Sequence, residues 1–481
     1  MELYLGSVFS ISRYNFAIPV NSGFLLYNSA SGAVLSLSGP DAGRLAVELG
    51  GSPHPLSVNE LEGIMVEQLR DGGFLVDTAA DEVGAIREKF LDAVAGTPAV
   101  LTLTTTMDCN LGCYYCYEER SGERLQLAQV HQVVALARKL LQGSGKDRLH
   151  VDWYGGEPLM NVEFLEQASL ALQKLCAEQG LAYSASVISN GTCWPPNVEV
   201  FIQRTRVRQI QISFDGLRAN HDKRRRFRKG YERDRVSSFD AAVGLVDQLV
   251  HCVRVDLRFN IDRGNQGDVI PFLVFARERG WFAAPHKVVF QPARLSSYTQ
   301  RSAFMRKVEL SIEEYEEVRA RVREEAQTLI PVEEAEVPDK FPYPRNSVCA
   351  ALARDSIVVG ADAKLYRCGL QVGERNRSVG AIPVLSSPLL PVLSEAADRI
   401  RSDAEWWKSF DPTTLPTCSR CSFLPVCWGG CPKKHLEQDR SAILEQGAYW
   451  RRNLARLVAE GVGATCDPSF SFGEADQFKS G

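Results

Sequence analysis

Cys109, Cys113 and Cys116 stand in the local sequence Cys-Asn-Leu-Gly-Cys-Tyr-Tyr-Cys. Three thiolates this close together, on a loop containing Gly112, can converge on one metal centre. Closely spaced cysteines of this kind commonly hold iron–sulfur clusters. A cubane has four irons and the trio supplies three ligands, so one iron stays open to another donor. The competing reading is structural zinc, which wants four ligands, and no His lies beside the trio.

The trio needs a rigid support, and the segments around it alternate in type. Strand-like runs cover 99–106, 150–154, 183–189, 209–214, 254–260 and 287–290. Between them, 126–141, 162–179, 198–204, 239–249 and 269–279 have helical spacing of apolar residues. Strands separated by helices predict an α/β fold with a parallel sheet and helices outside. In such folds the chemistry sits at the C-terminal strand ends, and those ends carry polar motifs. Gly155-Gly156-Glu157-Pro158 follows the second strand, Ser189-Asn190-Gly191-Thr192 the third, Ser213-Phe214-Asp215-Gly216 the fourth, and Asn260 closes the fifth.

The Cys-x3-Cys-x2-Cys spacing, with Tyr115 before the last Cys and Gly-Gly-Glu-Pro one strand downstream, resembles the signature of the radical S-adenosylmethionine (SAM) enzymes. The resemblance implies a partial (β/α)6 TIM-like barrel over residues 96–300. It implies a [4Fe–4S] cluster on Cys109, Cys113 and Cys116, whose open iron is chelated by SAM. Reductive cleavage of SAM then yields a 5′-deoxyadenosyl radical that abstracts hydrogen from substrate. It makes Tyr115, Gly155, Gly156, Glu157, Pro158, Ser189, Asn190, Ser213, Asp215 and Asn260 the cofactor-binding candidates. It also implies an electron donor such as flavodoxin or ferredoxin.

Near the other end come Cys349, Cys368, Cys418, Cys421, Cys427, Cys431 and Cys466. The central Cys-x2-Cys-x5-Cys-x3-Cys spacing resembles the SPASM domain, an extension of radical SAM enzymes that carries two auxiliary [4Fe–4S] clusters. By that resemblance Cys349, Cys368 and Cys431 serve the first auxiliary cluster, and Cys418, Cys421, Cys427 and Cys466 the second. A zinc knuckle completed by His435 is the alternative. Two departures stand out: Ala363 occupies a position usually held by Gly, and no further Cys lies close to Cys349. The second leaves one iron of the first auxiliary cluster open or held by another group. Cys176, Cys193 and Cys252 read as structural thiols.

The chain of 481 residues predicts two or three domains: 1–95, a winged-helix-like peptide-recognition domain; 96–300, the barrel; 301–344, a helical bridge (305–325) and a proline-bearing linker (331–344); and 345–481, the cysteine-rich domain. In the first, 16–20, 24–27 and 33–37 read as strands, 45–49 and 56–69 as helices, and 74–76 as a closing strand. That order resembles the leader-binding domain of enzymes that modify ribosomally made peptides, which capture a peptide at a sheet edge. A net charge of −4 gives no footprint for nucleic acid, no apolar run reaches a membrane span, and thirteen cysteines without a secretory signal fit the cytoplasm. The basic run His221 to Gly230, continuing to Asp240, reads as a solvated face or as a patch steering an acidic peptide or the negative end of a cofactor.

Together these readings predict a peptide maturase that installs a thioether or carbon–carbon crosslink in a precursor peptide with a leader sequence. The alternatives are an anaerobic formylglycine-generating sulfatase maturase and a non-catalytic metal-stabilised scaffold.

Overall fold

The computed structural model describes residues 8–57, 63–231, 237–329, 341–382 and 395–479. They form two compact units, one from Thr97–Val337 with Ala350–Lys408, the other from Met1–Gly96, Pro338–Cys349 and Ser409–Gly481.

The first unit is built on a nine-stranded sheet. Six parallel strands run in sequence order across it: Ala99–Thr104, Arg148–Tyr154, Ala182–Ser189, Val207–Phe214, Arg254–Ile261 and Val288–Arg294. Each is joined to the next through at least one helix. The sixth strand pairs only with the fifth, so the six do not close on themselves among the described residues. On the outer side of the first strand lies Ser356–Val359, parallel to it, followed by antiparallel Lys364–Tyr366 and Gly380–Ala381.

Period-two alternation gives each strand two chemistries. In the fifth, Val255, Leu257, Phe259 and Ile261 are fully buried in the apolar core with the helices, while Arg254, Asp256, Arg258 and Asn260 share the other face. Phe272 packs there against Phe214 at 4.7 Å and Phe259 at 5.2 Å between ring centres. Truncating such a ring costs about 3–5 kcal/mol. Cys176 is buried in this core and Cys193 and Cys252 pack against it, with the Cys252 thiol 3.4 Å from the Gln248 carbonyl.

The expected 305–325 helix lies further along, at Ile312–Leu329, preceded by a 3-10 stretch at Gln300–Lys307. Ser311 fixes the start: its hydroxyl accepts from the Glu314 amide at 3.1 Å, and the Glu314 carboxylate accepts from the Ser311 amide at 2.6 Å. Of the expected linker, 331–340 lies outside the described residues.

In the second unit, Val8–Ile11 lies between Pro55–Ser57 and Leu75–Asp77, antiparallel to both. A three-stranded meander, Asn15–Val20, Gly23–Asn28 and Val34–Leu37, stands beside it. Gly23 makes its tight turn with φ +133°, and a Cβ there would sit 2.4 Å from the Leu37 carbonyl oxygen. Helices follow at Ala42–Gly50, Gly63–Asp71 and Glu82–Gly96. The expected 56–69 helix is thus a strand, then 58–62 outside the described residues, then a shorter helix.

The meander is covered on both faces. Leu26 and Leu37 join a core with Phe9, Ile11, Val66 and Leu69. Phe16, Ile18, Leu25 and Tyr27 pack instead with Phe423, Val426, Leu454, Val458, Cys466 and Phe472. Phe16 stacks on Phe423 at 5.0 Å. The two chain ends therefore share a core, laid down by the 22-residue helix Arg440–Gly461.

Candidate active site

The loop carrying the cysteine trio is gripped from three sides. The second strand's end presses on it: the Gly156 amide donates to the Thr106 carbonyl at 3.0 Å and the Glu157 amide to Asp108 at 3.0 Å. A Cβ on Gly155 would lie 2.4 Å from the Thr106 oxygen, and one on Gly156 2.4 Å from the Asp108 oxygen. Both glycines are needed for this approach.

The third strand's end grips it next. Asn190 donates through Nδ2 to Asn110 Oδ1 at 2.8 Å and lies 3.6 Å from the Cys109 sulfur. The basic run supplies the third grip. Arg228 donates to the Asp108 carboxylate at 2.6 Å and the Cys109 carbonyl at 2.7 Å, and the Gly112 amide to the Arg226 carbonyl at 2.7 Å. Burial works to raise the Asp108 pKa, but hydrogen bonds from Tyr231, Arg228 and the Cys109 amide hold it below the usual carboxylate range.

That run is a solvated face only in part: Lys223, Arg226 and Lys229 are exposed. His221, Arg224 and Arg225 are buried, on and just after a helix at Arg218–Arg224. Arg224 donates to Asp215 at 3.1 Å and through both terminal nitrogens to Asp262 at 3.0 and 2.9 Å. Arg225 donates to the Tyr115 hydroxyl at 2.6 Å, which donates to Asp215 at 2.8 Å. Tyr114 donates to Asp262. The two tyrosines between the last two cysteines are thereby fixed to the fourth and fifth strand ends.

Beneath this loop lies a cavity of about 370 Å3, lined by Cys109, Cys113, Tyr115, Cys116, Gly155, Gly156, Ser189, Asn190, Ser213 and Asn260. Glu157, Pro158 and Asp215 do not line it. Glu157 is fully buried, accepting from the Asn190 amide at 2.7 Å, Ser189 Oγ at 2.9 Å and the Leu159 amide at 3.2 Å. It ties the second strand end to the third, and burial pushes its pKa up to about 7. Asp215 is the hub of the arginine–tyrosine network. Tyr117, Glu118, Tyr154, Gln211 and Arg258, which the sequence did not single out, line the same cavity, as does Arg225 of the basic run. Gln211 and Arg258 stand two residues before Ser213 and Asn260, where period two puts them on the same face.

The donor set fits a cationic cluster. Burial raises all three thiol pKa values, Cys116 to about 11 and Cys109 further, so thiolates here need a positive centre to stabilise them. Among the described residues no three His, Cys, Asp or Glu side chains gather as a single-ion site.

Residues 103–254 match the family model of the radical SAM superfamily. The chain carries a radical SAM domain. Serine-type anaerobic sulfatase-maturating enzymes of Klebsiella aerogenes and Klebsiella pneumoniae are 24% identical over 355 residues, 71% of this chain and 81% and 83% of theirs. Among solved structures, native anSMEcpe with bound AdoMet aligns with a TM-score of 0.52 and 16% identity, covering 76% of this chain and all of that one. The same protein with AdoMet and the Cp18Cys peptide gives 0.51 over 76% of this chain and 99% of that chain. These likenesses establish the fold.

Outside the radical SAM domain, burial is the largest cause raising the pKa of Cys418 and Cys421, and the nearby Cys427 raises both further. Cys421 lies 3.6 Å from Gln477 Nε2, and Cys466 is buried in the apolar core against which Cys421 packs. His435 is engaged through Nε2 with the Gly429 carbonyl at 2.7 Å. Cys349 and Cys431 are exposed and belong to this unit, while Cys368 belongs to the unit with the radical SAM domain. Ala363 has φ +62°, so it adopts the left-handed conformation for which Gly is usual.

No described helix is long and apolar enough to cross a membrane.

Proposed function

We propose that this radical SAM enzyme oxidises a side chain of a peptide substrate and installs a crosslink in a ribosomally made precursor. Supporting this is the convergence of three desolvated thiols, Tyr115 and the polar strand ends on one cavity. Bound there, a [4Fe–4S] cluster and SAM supply reductive cleavage of the sulfonium and hydrogen abstraction. Cys109, Cys113 and Cys116 hold the cluster, and Ser189, Asn190, Ser213 and Asn260 offer hydrogen bonds to the cofactor's polar groups. Tyr115, locked by Arg225 and Asp215, closes the wall behind it and keeps bulk water from the thiolates.

The remaining assignments belong to the same reading. Residues 1–95 form the winged-helix-like leader-recognition part and 345–481 a SPASM domain with two auxiliary clusters. The enzyme works in the cytoplasm with a flavodoxin or ferredoxin as donor. The shared core of Phe16 and Tyr27 with Phe423 and Phe472 supports a peptide-recognition part fixed to the auxiliary-cluster segment.

A second reading, formylglycine formation, is favoured by the likeness to enzymes that mature sulfatases over 71% of the chain. Anaerobic reconstitution with short peptides encoded near the gene separates the two. A crosslink removes two hydrogens and gives no reaction with a hydrazide, whereas an aldehyde is labelled. The absence of 5′-deoxyadenosine from the reduced, reconstituted protein would overturn both.

A further inference from the structure

The inward face of the fifth strand carries Arg254, Asp256, Arg258 and Asn260 in succession, and their partners differ. Arg254 donates to Asp256 at 2.9 Å, and Asp256 also accepts from Gln209 at 2.6 Å and Gln291 at 2.9 Å. That layer is neutral and closed. At the strand's C-terminal end Asn260 joins Asp215 at 3.3 Å. Between them Arg258 lines the cavity. Its Nε donates to Asn260 Oδ1 at 3.1 Å, and among the described residues no carboxylate forms an ion pair with it.

The other arginines lining the cavity are already engaged beside the cysteines. Arg225 is bound to Tyr115 and Asp215, and Arg120 lies 3.4 Å from the Cys113 carbonyl. Arg258 lies one inward-facing residue deeper than Asn260, about 6–7 Å along the strand. A half-buried guanidinium without a counter-charge is a costly element to keep. Its planar fork matches a carboxylate in a way a lone donor does not.

We propose that Arg258 grips a carboxylate of the substrate, an Asp or Glu side chain near the residue that is modified. This rests on the peptide-modifying reading above. Within the basic run 221–230, Arg224 and Arg225 are held by Asp215 and Asp262, and the exposed Lys223, Arg226 and Lys229 do not line the cavity, whereas Arg258 does.

The test uses the full-length enzyme, anaerobically reconstituted with iron and sulfide and supplied with SAM and dithionite. The probe is an amidated peptide library carried behind the leader of the precursor encoded near the gene, with Cys or Ser at the centre and randomised flanks. Amidation removes the terminal carboxylate, and modified peptides are sorted by loss of two hydrogens and sequenced. Wild type should enrich Asp or Glu at one position. R258Q should lose that enrichment and R258E should replace it with Lys or Arg. On an enriched peptide, Glu to Gln should raise the wild-type KM roughly tenfold or more, as expected for a charge-assisted pair. Cluster absorbance and circular dichroism establish that the variants are folded, and the peptide swap on wild type needs no variant.

Modification without acidic preference, or unchanged preference in R258Q, overturns the assignment alone. A tenfold loss of SAM affinity in R258Q would assign the gripped carboxylate to the cofactor and overturn it too. Failure of wild type to modify any peptide overturns the functional reading and this inference with it.

Discussion

Arg224 holds Asp262 by both terminal nitrogens, at 3.0 and 2.9 Å, while its Nε reaches Asp215 at 3.1 Å. One guanidinium thus joins the ends of the fourth and fifth strands, and both carboxylates also receive a tyrosine from the cysteine loop. All three charges are almost wholly buried, so none has water to fall back on.

Arg224→Met should therefore destabilise the apoprotein by about 3–5 kcal/mol, because two buried carboxylates lose their counter-charge. Urea unfolding followed by circular dichroism measures it. Arg224→Lys should recover only part of the loss, since an ammonium cannot span both partners.

Gly156→Ala should lower the bound iron after reconstitution by more than half, because its Cβ would meet the Asp108 carbonyl carbon as well as its oxygen. Gly96→Ala, where a Cβ meets nothing within 4 Å, is the matched control and should bind iron as wild type does. Equal iron in Gly156→Ala would mean that the loop yields without losing its thiolate geometry.

Cys113→Ala should abolish 5′-deoxyadenosine formation, whereas Cys421→Ala should spare part of it and lose peptide conversion. Chromatography of the nucleoside and mass measurement of the peptide separate the two. Full peptide conversion by Cys421→Ala would exclude an essential second auxiliary centre.

Glu157 carries a pH signature. Its folded pKa, about 7, lies above the ordinary glutamate value of 4.5, so the folded state binds more protons than the unfolded one between those values. Its contribution to stability is fully present below about 4.5 and is lost as pH rises towards 7. The drop is on the order of 3 kcal/mol for the apoprotein. Glu157→Gln should flatten the stability profile across that window. An unchanged slope would mean that the three donors around the carboxylate already offset its burial.

Ala363→Gly should stabilise the protein. A left-handed Ala costs about 1–2 kcal/mol, and the freedom Gly adds to the unfolded chain takes back about 0.4–1 kcal/mol. A net gain near 0.5–1 kcal/mol should appear as a small rise in melting temperature. A fall would show that the Ala363 methyl, which packs against the apolar core, is worth more than the strain.

The six parallel strands and their helices were legible because alternation and helical spacing are local, and the cysteine spacings placed the loop that matters. Less legible were groups whose meaning depends on distant partners. Arg224 and Arg225 look like exposed charge until Asp215 and Asp262 are folded around them. Ser356–Val359 is too short to announce itself and becomes a strand by pairing with Ala99–Thr104. Glu157 stands in a polar motif at a strand end, which reads as facing a ligand, yet it is a buried tie between strands. The strand at 16–20 was read, but not that its unbroken apolar run, Phe-Ala-Ile-Pro-Val, marks a strand covered on two sides.

That two-sided strand has a consequence for how the polypeptide matures. Phe16 and Tyr27 emerge from the ribosome hundreds of residues ahead of Phe423 and Phe472, which shield them. The hairpin must wait with an oily surface bare until Phe423 and Phe472 have been made, a contact of very long range that folds slowly and invites aggregation. Production as separate halves would leave that surface uncovered, whereas tethering the tail segment ahead of the hairpin in a circular permutant would let the two meet early.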